Sequence, residues 1–141
     1  MEELLELKQL LQQGKIAEAL LIVDELEEMS LSDKVNKIDS YSVILLIHLI
    51  KQNAENRSTR SWQLSIKNAI REINKTNKRR KANGYYLSEA ELLDILKDAY
   101  ELAMEKASSE AYEGRYEAEE LATMVDQEGI LSQAMKLIEQ G

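Results

Sequence analysis

The sequence predicts an all-α fold, a bundle of about five to seven helices with no sheet, and three observations carry that expectation. No proline occurs in 141 residues, where an average usage of about 5% would place roughly seven. Apolar residues recur at i, i+3, i+4 and i+7 through most of the chain, the spacing that gives a helix one oily face. The interruptions fall at glycine, serine and asparagine, the residues that cap or end helices. Hydrophobic residues make up 44% of the chain, enough for a real core, and the length suits one domain of about 100–150 residues. The absence of cysteine excludes disulfide staples, zinc sites built from cysteine and thiol nucleophiles.

Leu4, Leu7, Leu10 and Leu11 predict a first helix over residues 2–13, and Gly14 suits a tight turn that would set it antiparallel to a second over 15–29. On the second, Ile16, Ala19, Leu20, Val23 and Leu26 share one face while Glu18, Asp24, Glu25 and Glu28 share the other. Glu27 falls among the apolar residues, so it is either at the rim or a buried acid with a partner. Ser30-Leu31-Ser32 is expected to end this helix, with Ser32 and Asp33 capping a third that runs to about residue 54. The stretch Val43 to Ile50 is apolar all round apart from His48, the mark of a central helix enclosed by others. A fourth helix is expected over about 60–81, capped from Ser58, Thr59 or Ser61 and apolar at Trp62, Ile66, Ala69, Ile70 and Ile73, with Asn83-Gly84 as its stop.

Ser88-Glu89-Ala90-Glu91 has the capping-box pattern and opens a fifth helix reaching about residue 112. Its seam is Leu92, Leu93, Leu96, Ala99, Tyr100, Ala103, Met104 and Ala107, and the alanines permit close approach of a neighbour. Gly114 and Gly129 are expected to bend the chain before the last two helical stretches, where Leu131, Met135 and Ile138 recur at helical spacing. Residues 1–113 are thus expected to form the bundle core and 114–141 a C-terminal helical extension of the same domain.

Charge is segregated along the chain. Residues 1–33 hold 2 basic and 9 acidic side chains, residues 34–82 hold 12 and 3, and residues 83–141 hold 4 and 14, within a total of −8. Such blocks suit helices that lace together at their surfaces, where each exposed pair contributes roughly 0–1 kcal/mol. The start, Met-Glu-Glu-Leu-Leu-Glu, carries acid where a secretory signal carries lysine or arginine, so a cytoplasmic protein is expected. The longest apolar run is far short of the roughly 20 residues that cross a bilayer, and no membrane partner is expected.

A specific order of residues also stands out. Asp24-Glu25-Leu26-Glu27-Glu28-Met29-Ser30-Leu31-Ser32 precedes Leu45-Leu46-Ile47-His48-Leu49-Ile50-Lys51, which precedes Arg57-Ser58-Thr59-Arg60-Ser61-Trp62 and Ile66. This order resembles the bacterial, largely cyanobacterial family catalogued as domain of unknown function 29, well over residues 7–73 and more weakly at Ala99-Tyr100, Ala103, Ala107 and Glu110. The chain departs from that family in having Gln52 where relatives place tryptophan, a loop without proline before the arginine box, and a tail without the family's proline and cysteine signature. The resemblance implies an all-helical fold and no established function.

Glu27, His48, Arg60 and Trp62 are the residue types a site would use, and each falls near an apolar face or a helix start. A di-metal centre in a helical bundle draws on Glu-x-x-His motifs, but Leu45 stands three residues before the single histidine, so no metal or cofactor is expected. The same four residues also have a structural reading, in which a glutamate on an apolar face is paired with a cation from the next helix and Trp62 anchors its own helix. No catalytic residue is assigned.

The isolated glycines cannot form a phosphate loop or a dinucleotide fingerprint. A non-catalytic protein-interaction or self-associating module is therefore the expected function, with a protein partner or a homo-oligomer, prompted in part by the alanine seam of the fifth helix. Nucleic-acid binding is the alternative, through Lys67, Arg71, Lys75, Lys78, Arg79, Arg80 and Lys81, four of which recur along one helical ridge. The net acidity and the lack of aromatic residues in that run oppose it. An enzyme built on Glu27, His48 and Arg60 is a further alternative.

Overall fold

Six α-helices form the computed structural model, which describes residues 2–79 and 83–141. They are α1 (Glu2–Gln12), α2 (Ile16–Glu55), α3 (Arg60–Asn77), α4 (Glu89–Ser108), α5 (Ala118–Ala122) and α6 (Gln127–Gln140), with one 3₁₀ turn at Ala111–Gly114. No strand occurs among the described residues, and the all-α expectation is met. The chain divides into two compact units, one up to Val35 and one from Asn36 onward.

In the first unit, α1 and the start of α2 are joined through Gly14, whose φ of +72° is one that a side chain would strain. The amide of Lys15 donates to the Leu10 carbonyl at 2.9 Å and closes the turn. Ala19 is buried, and Leu7, Leu10, Ile22, Val23 and Leu26 are half-buried.

The expected break at Ser30-Leu31-Ser32 does not exist. α2 runs unbroken from Ile16 to Glu55, because serine and aspartate lower helix propensity by only a fraction of a kcal/mol and neither glycine nor proline is present to stop it. Its polar side chains are absorbed within the helix: Lys34 Nζ donates to Ser30 Oγ at 3.4 Å, and the Ser40 hydroxyl donates back to the Asn36 carbonyl at 3.1 Å.

The second unit is organised round the end of α2. Ile38, Leu45, Leu46, Leu49 and Ile50 are entirely enclosed, each stabilising the fold by about 1.5–3 kcal/mol relative to exposure. α3 presents Ile66, Ala69 and Ile73 to this core, α4 presents Leu92, Leu96, Ala99, Tyr100, Ala103, Met104 and Ala107, and α6 presents Ile130, Leu131, Ala134 and Ile138. The alanine seam therefore lies in the interior of this unit and offers no free surface. α3 and α6 are tied directly, Asn74 Nδ2 donating to the Ile138 carbonyl at 3.0 Å.

Three element ends differ from expectation. α3 stops at Asn77, short of residue 81, because the buried Asn77 side chain clasps the returning chain at Leu87. Its Oδ1 accepts from the Leu87 amide at 2.8 Å and its Nδ2 donates to the Leu87 carbonyl at 3.3 Å. With an antiparallel bridge between Lys78 and Tyr85, this places Asn83-Gly84 before the returning stretch of chain and not at the end of the helix. α4 ends at Ser108, and the chain then curls through Tyr112, Glu113 and Gly114, all with positive φ. Gly129 makes no bend. It sits in the first turn of α6, its amide donating to the capping carboxylate of Asp126 at 3.1 Å.

Candidate functional site

The polar groups that the second unit gathers most closely surround Trp62. Thr59 caps α3, its hydroxyl accepting from the Trp62 amide at 3.1 Å, so the indole stands one turn into the helix. Asn56 ends α2 in the left-handed conformation at φ +51°, which asparagine tolerates better than most residues, and this reversal brings Arg57 over the indole at 4.7 Å. Lys51, one turn before the end of α2, approaches the same ring at 4.6 Å. A cation that close to an indole is attracted by its negative face, by about 0.5–2 kcal/mol as desolvation increases.

Lys51 is the one buried cation among the described residues, and its charge is met by Glu110 Oε1 at 3.2 Å. Arg57 is in turn paired with Glu55 at 3.1 Å. Tyr112 reaches across and donates its hydroxyl to the Ala54 carbonyl at 2.6 Å, supplying a partner to the exposed end of α2. Tyr112 and Glu113 hold left-handed backbone at φ +50° and +57°, a conformation costing about 1–2 kcal/mol per residue. The Ala54 bond and the edge-on contact with Tyr116 at 5.4 Å offset that cost. A cavity of about 330 Å³ lies here, lined by Glu55, Arg57, Trp62, Glu110, Tyr112, Glu113 and Arg115.

His48 lies one turn from Lys51 on α2. Burial holds its pKa below the usual histidine range, the Lys51 charge adds to that effect, and Glu110 opposes it. These effects favour the neutral ring, and its Nδ1 has no hydrogen-bond partner among the described residues. Tyr100 is raised above the usual tyrosine range, first by burial and then by the charge of Asp126.

The sequence matches the family described as Domain of unknown function DUF29 over residues 4–133. The chain belongs to the DUF29 family. No curated protein and no solved structure matches it.

Of the four residues singled out in this DUF29 chain, the structure groups two. His48 and Trp62 are both neighbours of Lys51. Arg60 is exposed at the start of α3, and the cations on the indole come from Lys51 and Arg57 instead. Glu27 belongs to the first unit and is exposed there, a surface acid. Lys51, Glu110 and Tyr112 were not legible as site residues. The signal was Lys51 closing an otherwise apolar run, a position where a lysine must find an acid.

Arg60, Leu64, Lys67, Arg71 and Lys75 are all exposed and fall within about 80° of arc on α3, at 3.6 residues per turn. Lys78 is exposed just beyond the helix, and Arg79 is drawn to the Tyr86 ring at 5.5 Å. Arg80 and Lys81 lie outside the described residues. In the first unit of the DUF29 chain large apolar residues are exposed beside the charged ones. Leu4, Leu5, Leu11, Ile16, Leu20, Leu21, Met29 and Leu31 are between 42% and 65% exposed. Among the described residues no helix is long and apolar enough to cross a membrane.

Proposed function

We propose that this DUF29 chain is a non-catalytic protein-interaction module of the cytoplasm, and that the first unit supplies the binding surface. One observation carries the reading: among the described residues up to Val35 only Ala19 is buried, while eight large apolar side chains stand in solvent. Large apolar side chains left in solvent mark interaction sites in folded proteins where they share a face, as Ile16, Leu20 and Leu31 do on one side of α2. The groups round Trp62 support the non-catalytic part, since Lys51 is committed to Glu110 and Arg57 to Glu55, and His48 Nδ1 has no hydrogen-bond partner among the described residues to orient the ring.

Photo-cross-linking from position 20 of the full chain, in the cells that make it, tests the proposal. A residue-20 probe is expected to trap a discrete protein adduct that a probe at exposed Glu101 on α4 does not. No adduct at position 20, or the same adducts at both, would overturn it.

The basic ridge of α3 favours a second reading, contact with a phosphate backbone, because its cations follow one line. Retention on immobilised DNA at low salt, lost on Lys67→Glu with Arg71→Glu, is the expected result. A wild-type chain that is not retained even at low salt would end it.

A further inference from the structure

The apolar face of the first unit is not simply oily. On α2, Ile16, Leu20, Asp24, Glu27 and Leu31 fall within about 80° of arc, and all five are exposed. Glu27 is thus set inside a stripe of leucine and isoleucine and Asp24, one turn before it, at the edge of that stripe, and neither has an ion-pair partner among the described residues. The surrounding residues reinforce them. The chain up to Val35 holds nine acidic side chains against Lys8, Lys15 and Lys34, a net −6.

From this pattern we infer that the occupant of the face is a cationic amphipathic helix of another protein. Its leucine-type stripe would lie along Ile16, Leu20 and Leu31, and lysine or arginine at its edge would meet Asp24 and Glu27. This rests on the interaction reading proposed above and names the partner's chemistry. The apolar residues call for an apolar stripe at i, i+3/i+4 and i+7. The carboxylates decide the sign, because opposite charge across an interface speeds encounter and like charge rejects the wrong partner. A second copy of the same face would bring −6 against −6, acid facing acid along the contact. Anionic lipid and nucleic acid are repelled for the same reason.

Fluorescence anisotropy of the full chain with three labelled model peptides tests the inference: a helical leucine/lysine peptide, a leucine/glutamate peptide with the same apolar stripe, and a scrambled leucine/lysine peptide. Two double variants of equal charge accompany the wild type, Asp24→Lys with Glu27→Lys on the face, and Glu101→Lys with Glu105→Lys on the exposed side of α4. Circular dichroism checks that each stays folded.

The patterned cationic peptide is expected to bind wild type at least about tenfold more tightly than either of the others. The face variant is expected to lose that preference, and the α4 variant to keep it. Equal or tighter binding of the acidic peptide, equal loss in both variants, or sedimentation showing wild type paired with itself through Leu20 would overturn the inference. In those cases the cross-linking result decides separately: an adduct from position 20 leaves the interaction reading standing with a different partner chemistry, and no adduct removes both.

Discussion

At the residue scale, the second unit shows how a polar side chain is kept inside a helical core. Lys51 is surrounded by the indole, by Glu110 and by the apolar turns of α2, so its charge is matched twice over. His48 solves the problem differently, by favouring its neutral form. Unfolded, it titrates near 6.5, and in the fold its pKa lies below that value. Between the two, the unfolded chain binds a proton that the folded chain refuses. The stability owed to the neutral ring is therefore complete above about pH 6.5 and is lost as pH falls toward the folded value. Urea unfolding at about pH 7.5 and 5.5 is expected to show a larger loss for wild type than for His48→Gln. Equal losses would show that the ring gains its proton as easily folded as unfolded.

His48 and Trp62 were legible as notable residues because one interrupts an apolar run and the other is the sole tryptophan. Their shared neighbour was not. The meeting of Lys51 with Glu110 joins residues 59 positions apart, and no local periodicity records such a pairing. The clasp made by Asn77 was hidden for the same reason, since an asparagine at the end of a fading stripe reads as solvent-facing until Leu87 folds back on it.

At the element scale, periodicity found every long helix, and what it misjudged was punctuation. Ser30-Leu31-Ser32 looked like a stop, yet the hydrogen-bonded ladder of a long helix carries two serines easily, while the chain reverses at left-handed residues such as Gly14 and Asn56 or, at Asn77, through a side-chain clasp. Gly114 could not be replaced without strain, because a side chain there would meet the Ser109 carbonyl at 3.1 Å and hold φ +78°. Capping chemistry was read correctly at Ser88, where the hydroxyl accepts from the Glu91 amide at 3.2 Å and the Glu91 carboxylate accepts from the Ser88 amide at 3.1 Å. Ser88→Ala is expected to lower stability by about 1 kcal/mol in denaturant titration. A change under about 0.3 kcal/mol would mean that the start of α4 is held by packing alone.

At the scale of the whole molecule, the acid, basic, acid order of the chain maps onto different surfaces. The basic block becomes the outer ridge of α3 and the cations at Trp62, and the first acidic block becomes the carboxylate-studded apolar face of the first unit. Sequence alone could count the apolar residues of α1 and early α2, but it could not tell that they lack a covering layer, since an amphipathic stripe looks the same whether buried or bare. The proposed binding role rests on that difference.

The measurement that tests it most directly is a paired one on Leu20→Ser, with unfolding free energy and partner capture read from the same protein. A bare interaction residue changes stability by less than about 0.5 kcal/mol, whereas Leu46→Ala in the enclosed part of α2 is expected to cost about 2–5 kcal/mol. The expected result is an unchanged unfolding curve for Leu20→Ser together with loss of the position-20 partner. A stability loss like that of Leu46→Ala, with the partner still captured, would contradict a bare binding face.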